Sequence, residues 1–180
     1  MKRWLGLALA LAVLSVSPLA SGVERESQIG LEAGVPMLVV QHGKSATLSG
    51  IGGGLHYTYG ISDAFNFVAD AGSAAMPWGA SGASSMSTMS NVDLGLAYVL
   101  DVLRWVPWGA LEAGGYALTG NPVGGTQVLP GFAIALGLDY RIDRQWAVGL
   151  VLRQHMLFTD ASTFPSLTQG LLRVGYTWGW

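Results

Sequence analysis

Six charged side chains stand alone inside otherwise apolar stretches of this chain: Glu32, Asp70, Asp93, Glu112, Arg153 and Arg173. Removing the partner of a buried charge costs about 3–5 kcal/mol, so carboxylates and guanidiniums in such surroundings are expected to meet one another. The chemistry open to them is a satisfied structural network or a narrow path along which an ion passes. Three histidines, His42, His56 and His155, add the side chain best suited to moving protons near neutrality. Their spacing forms no metal-ligand pattern and Cys is absent, so neither a metal nor another cofactor is expected.

Positioning these groups falls to strands. Residues 28–37 place Ile29, Leu31, Ala33, Val35 and Met37 on one face and Gln28, Gly30, Glu32 and Gly34 on the other, the two-residue period of a strand. The same alternation returns seven times. Leu55, Tyr57 and Tyr59 oppose Gly54, His56 and Thr58, and Phe65, Phe67 and Ala69 oppose Asn66, Val68 and Asp70. Val92, Leu94, Leu96 and Tyr98 oppose Asn91, Asp93, Gly95 and Ala97. Trp105, Leu111 and Ala113 oppose Arg104, Glu112 and Tyr116, with Pro107 as a potential bulge that would reverse the parity of the first few residues. Ile134, Leu136, Leu138 and Tyr140 oppose Ala135, Gly137, Asp139 and Arg141; Trp146, Val148, Leu150 and Leu152 oppose Ala147, Gly149, Arg153 and His155. The last segment sets Leu172, Val174, Tyr176, Trp178 and Trp180 against Arg173, Gly175, Thr177 and Gly179.

Every charge thus lies on the face made of small residues, and the other face is apolar. With 51% hydrophobic and 11% charged residues the chain cannot coat a water-facing surface, for which about 25% charged is usual. A lipocalin-like soluble barrel with its apolar face inward fails for the same reason. Connections alternate: residues 39–46, 76–89, 120–129 and 158–168 read as long loops, and those near Ile61, Asp101 and Asp143 as short turns. The one sustained apolar run, residues 5–16, follows Lys2 and Arg3 and precedes Ala20-Ser21-Gly22, the layout of a cleaved export signal. We expect residues 1–22 to be that signal and 23–180 a single barrel domain. Without Lys2 and Arg3, seven Lys and Arg face eleven Asp and Glu, a net charge of -4 that is no footprint for nucleic acid.

The whole pattern resembles the small outer-membrane barrels represented by the OmpA transmembrane domain, OmpX and OmpW, and the terminal Arg173, Gly175, Tyr176, Trp178 and Trp180 resemble the C-terminal assembly signal of such proteins. That resemblance implies an all-β fold, an eight-stranded antiparallel up-and-down transmembrane β-barrel in the bacterial outer membrane, with short turns and both termini in the periplasm. It also implies contact with outer-membrane lipid and lipopolysaccharide, folding by the barrel-assembly machinery, and a monomer. Tyr57, Tyr59, Phe65, Tyr98, Trp105, Tyr140, Trp146, Trp178 and Trp180 all fall at turn-proximal ends of the outward face, where a periplasmic aromatic girdle belongs. Phe132, Phe158 and Trp78 are candidates for a sparser outer girdle.

At eight strands the interior is just wide enough for side chains to fill it. The six charges fall at similar depth, so a buried ionic belt is expected, in a non-catalytic barrel that serves membrane integrity or surface properties. A narrow ion or solute channel, a loop-mediated adhesin and a lipid-modifying enzyme are the alternatives. His42, Asp160 and Ser162 could meet at the outer rim; His155 is followed by Met156 and Leu157, not by the His-x-Ser pair of lipid-A deacylases. Deleting residues 178–180 is expected to abolish membrane insertion, read as loss of the heat-modifiable gel shift of the folded protein.

Overall fold

The structure, a computed structural model, describes residues 25–42, 44–78, 85–101, 104–120, 125–158 and 166–179. Nine strands follow in chain order: β1 Ser27–His42, β2 Lys44–Ser49, β3 Ile51–Gly60, β4 Phe65–Trp78, β5 Ser85–Val99, β6 Trp105–Gly120, β7 Gly125–Arg141, β8 Trp146–Leu157 and β9 Ser166–Trp178. All pair antiparallel with their neighbours, and β1 pairs with β9 from Ser27↔Trp178 to Val39↔Ser166, which closes the sheet into a barrel. β2 and β3 are one stave: Met37↔Ser49 and Gly34↔Gly52 belong to the same register on β1. The ladder lapses between Met37↔Ser49 and Gly34↔Gly52, around Pro36, whose ring nitrogen has no hydrogen to donate. The barrel therefore has eight staves.

Parity follows the sequence pattern through the middle of each stave. Leu31, Leu111 and Leu172 are about two-thirds exposed, while Glu32, Glu112 and Arg173 beside them are buried. Pro107 causes no bulge. The β6–β7 register runs without a step from Trp105↔Tyr140 to Gly120↔Gly125, and Pro107 takes an outward position opposite Leu138.

The loops differ from expectation. Residues 39–46 were expected as a loop, yet they include the ends of β1 and β2, which pair as a hairpin down to His42↔Lys44. The expected loop 76–89 is largely the continuation of β4 and β5, paired to Trp78↔Ser85. β6 and β7 likewise run to Gly120↔Gly125, and β9 begins at Ser166, inside the expected fourth loop. The cause is a reversal in the sense of the alternation. Toward these ends Ala74, Met76, Met89, Leu118, Leu129 and Leu167 point inward and are buried, while Ser73, Ser90, Thr119, Thr126 and Thr168 point outward. Outward hydroxyls pair across strands, Ser73 with Ser90 at 3.1 Å and Thr119 with Thr126 at 3.1 Å. A strand of about 9–11 residues crosses a bilayer, whereas β4 to β7 have 14, 15, 16 and 17. The surplus extends past the apolar band, where water outside calls for the opposite pattern.

Aromatic pairs ring the turn end: Phe65–Tyr98 at 5.4 Å, Trp105–Tyr140 at 4.8 Å, Trp146–Tyr176 at 5.1 Å and Tyr57–Trp178 at 6.4 Å between ring centroids. Tyr59 lies outward beside them. Toward the other end Phe132 stacks on Phe158 at 5.2 Å. Trp180, the Trp78 side chain and the export signal lie outside the described residues. A charge at the bilayer midplane of a barrel wall costs about 2–4 kcal/mol and nearly nothing beyond the interface. Leu111→Arg is therefore expected to lower folding free energy in lipid by about that amount, with Thr119→Arg near neutral; denaturant titration in vesicles measures both.

Candidate functional site

The interior charge cluster is built around Arg153. It projects from β8, the seventh stave, between the small residues Gly149 and Val151 on one side and His155 on the other, and is 4% exposed. Its Nη1 donates to Oε2 of Glu32 at 3.0 Å and its Nη2 to Oδ1 of Asp70 at 2.9 Å, while Nε lies 3.5 Å from Oε2 of Glu112. Glu32 is on the first stave, Asp70 on the third and Glu112 on the fifth. Asp70 and Arg153 thus stand on opposite walls, which places the guanidinium at the barrel axis.

Arg173, on β9, forms a second centre nearer the turns. Its Nε donates to Nε2 of His56 at 2.9 Å and its Nη2 to Oε1 of Gln28 at 3.0 Å. Weaker ion pairs reach Glu32 at 3.9 Å and Asp139 at 3.8 Å. Because Nε2 of His56 accepts from Arg173, the ring hydrogen sits on Nδ1, 3.7 Å from Oε1 of Glu32. Glu32 is therefore shared by both arginines and His56. The guanidinium of Arg173 also lies over the Trp108 ring, 4.7 Å from its centroid, and Trp108 Nε1 donates to Oδ2 of Asp139 at 3.1 Å.

Of the six charged residues singled out from the sequence, five share this network and Asp93 does not. Asp93 sits opposite Asp70 in the β4–β5 register and accepts from Asn91 Nδ2 at 2.6 Å; among the described residues no arginine pairs with it. A third polar set lies toward the outer end. Tyr116 donates to His155 Nδ1 at 3.0 Å, and His155 Nε2 donates to Gln169 Oε1 at 3.2 Å. His155 is buried and inward, with no route to lipid on its own side chain. The side chain of His42, and Asp160 and Ser162, lie outside the described residues. Among the described residues no group of His, Asp and Glu is placed to hold a metal ion.

Sequence reasoning missed Trp108 and Asp139 as members. Asp139 had the right parity but stood nearer the turn than the others, and uncertainty about Pro107 concealed that Trp108 faces inward. A signal existed in Gly137: a Cβ there would fall 2.2 Å from the Trp108 ring, so the position must be glycine for the indole to lie across the lumen. Gly175 has a related role. A Cβ would lie 2.8 Å from the Gln28 amide that anchors Arg173. At the mouth, Arg141 pairs with Asp101 at 3.0 Å and reaches Glu26 at 3.9 Å. Glu26 lies just before β1, and burial holds its carboxyl above the usual carboxylate range against the opposing pull of Arg141.

Apolar packing brackets the charges. Val68, Ala97, Val99, Val106, Ala110 and Val151 are buried on the turn side, and Leu38, Met76, Met89, Leu118, Leu129 and Leu157 toward the outer end. The family model of the outer membrane protein beta-barrel domain matches residues 6–178. No functionally curated protein matches the chain. Among solved structures it is similar to Ail, the attachment invasion locus protein of Yersinia pestis, solved in complex with the heparin analogue sucrose octasulfate, at 16% identity and TM-score 0.62, over 86% of this chain and 99% of that one. It is similar to Neisserial surface protein A at 12% identity and TM-score 0.64, over 86% and 97%. A further likeness is to the N-terminal β-barrel domain of Pseudomonas aeruginosa OprF, at 12% identity and TM-score 0.59, over 86% and 98%. Identities this low speak to fold alone.

Arg153→Met is expected to cost about 3–5 kcal/mol, since it strands three buried carboxylates at once. Glu112→Gln, which removes the longest of the three contacts, should cost less. Denaturant titration of the refolded barrel gives both values.

Proposed function

The chain belongs to the outer membrane protein beta-barrel domain family, and from that premise we propose that it is a non-catalytic outer-membrane barrel whose closed interior makes it a structural and surface component rather than a conduit. The observation that carries this reading is the Arg153 guanidinium at the axis, which reaches from the seventh stave to Asp70 on the opposite wall and also bonds Glu32 on the first. An ion would have to break at least one charge-assisted hydrogen bond there, and then pass the buried Met76, Met89 and Tyr116.

In this reading residues 1–22 are an export signal removed on secretion, the barrel-assembly machinery folds the monomer, and lipopolysaccharide surrounds its outer half. The network of Glu32, Asp70, Glu112, Asp139, Arg153 and Arg173 serves to fix one barrel packing, and Asp93 joins the Tyr116 side of the lumen. Arg173, Gly175, Tyr176, Trp178 and Trp180 serve assembly. Extended hairpins then present a Ser-, Thr- and Gly-rich face to the exterior.

A surface-binding role is the second reading, favoured by the length of β4 to β7 beyond what a bilayer needs. Its partner would differ from a sulfated glycan of the kind bound in the Ail structure. Segments 38–49, 76–89, 120–129 and 158–168 hold Lys44 as their single Lys or Arg, too little positive charge for a polyanion.

Single-channel recording of the refolded protein in a planar bilayer tests the closed interior. A silent bilayer is expected both for the native protein and for Glu32→Gln; reproducible conductance steps that change with this substitution would make the network a gate and the protein a channel.

A further inference from the structure

A cavity of about 60 Å³ opens at the turn end of the lumen, bounded at its mouth by Glu26, Arg141 and Thr177 and reaching inward to Asp139, Arg173 and Trp108. Since a water needs about 10–15 Å³ of such space, the chamber has room for several, and polar walls to bind them. The largest side chain at its inner limit is that of Trp108. Trp108 leaves β6 on the fifth stave and is 8% exposed. It is fixed to the sixth stave through Asp139 and covered by Arg173 from the eighth. Glycine at position 137 vacates the space in which the ring lies. Ala110 and Ala135, the next inward positions on β6 and β7 beyond the ring, are buried and are not part of the chamber wall.

We propose that Trp108, clamped between Asp139 and Arg173, is the seal that makes this chamber a blind, water-filled vestibule of the periplasmic mouth and keeps solvent ions from the Arg153 cluster. The clamp suits that task for physical reasons. A cation over an indole face is worth more when desolvated, and the Nε1 bond to a carboxylate fixes the ring plane across the lumen. Arg173 is held in turn by His56 and Gln28, so the seal is tied to four staves besides its own: the first, second, sixth and eighth. A smaller residue would leave the vestibule continuous with the space beneath Glu32 and Arg153. This inference rests on the closed interior proposed above and adds which residue closes it from the periplasmic side.

The chain has no cysteine, so single thiols report access without background. Thr177→Cys, in the vestibule wall, and Ala110→Cys, beyond the ring, are refolded into lipid and exposed to a small, positively charged, membrane-impermeant methanethiosulfonate reagent, each with Trp108 intact and in W108A and W108F backgrounds. Folding of every variant is checked by gel mobility. Thr177→Cys is expected to react in all backgrounds. Ala110→Cys should stay silent with Trp108 or W108F, which keeps a ring for Arg173, and should gain an order of magnitude or more in rate with W108A. Reaction of Ala110→Cys with Trp108 in place overturns the seal, and needs no change at Trp108, so it holds even if W108A does not refold. Silence in a folded W108A, or equal reaction in W108F and W108A, overturns it as well. Conductance of the native protein would instead defeat the closed-interior reading itself, whatever the thiol rates.

Discussion

One guanidinium group has to satisfy carboxylates that arrive from several walls of a lumen. Arg153 meets Glu32, Asp70 and Glu112 from the first, third and fifth staves while projecting from the seventh, so it fixes the spacing of the barrel across its diameter. In a water-poor interior each contact is stronger than at a surface, and each missing contact costs more. Small inward residues follow from this. A Cβ at Gly30 would lie 2.2 Å from the His56 ring and one at Gly149 would lie 2.0 Å from Asp139, so these glycines leave the space in which side chains of the network lie.

The outer wall answers to a different solvent. Leucines and valines at the outward positions of β5, β6 and β7 bury themselves in lipid instead of in protein, and aromatic pairs end that band on the turn side. Toward the opposite end the relation inverts, with Met76, Met89, Leu118 and Leu129 inside and serine and threonine outside. A single continuous sheet is therefore polar-cored where lipid surrounds it and apolar-cored where it emerges. The emergent part packs as a water-soluble barrel would, and the same packing that holds its hairpins together fills the outer end of the lumen.

Arg173 joins the two purposes at the turn end. Its neighbours on β9, Leu172, Val174, Tyr176 and Trp178, face outward and belong to the lipid band and the girdle, while its own guanidinium holds Gln28, His56 and Trp108 inside. The terminal strand thus pairs β1 to close the sheet and supplies the cation that organises the turn-end half of the lumen. Disturbing it affects closure, girdle and interior together.

Sequence alone determined the elements whose surroundings are uniform along their length. A period of two, with leucine on one side and glycine on the other, specifies a strand between lipid and a crowded lumen, and it placed Glu32, Asp70, Glu112, Arg153 and Arg173 on the inner face. The paired extensions at residues 44–49 and 85–90 were not legible, because the solvent changes along those strands and the alternation changes sense with it, so a period read against lipid loses its meaning. Nor could the sequence decide that Arg153 serves three staves while Asp93 is served by Asn91, or that Trp108 lies across the lumen into the space left by Gly137. Parity gives a side chain's face. Which partner it reaches depends on the stagger of eight closed staves and the length of each side chain, and those are settled only when the barrel closes.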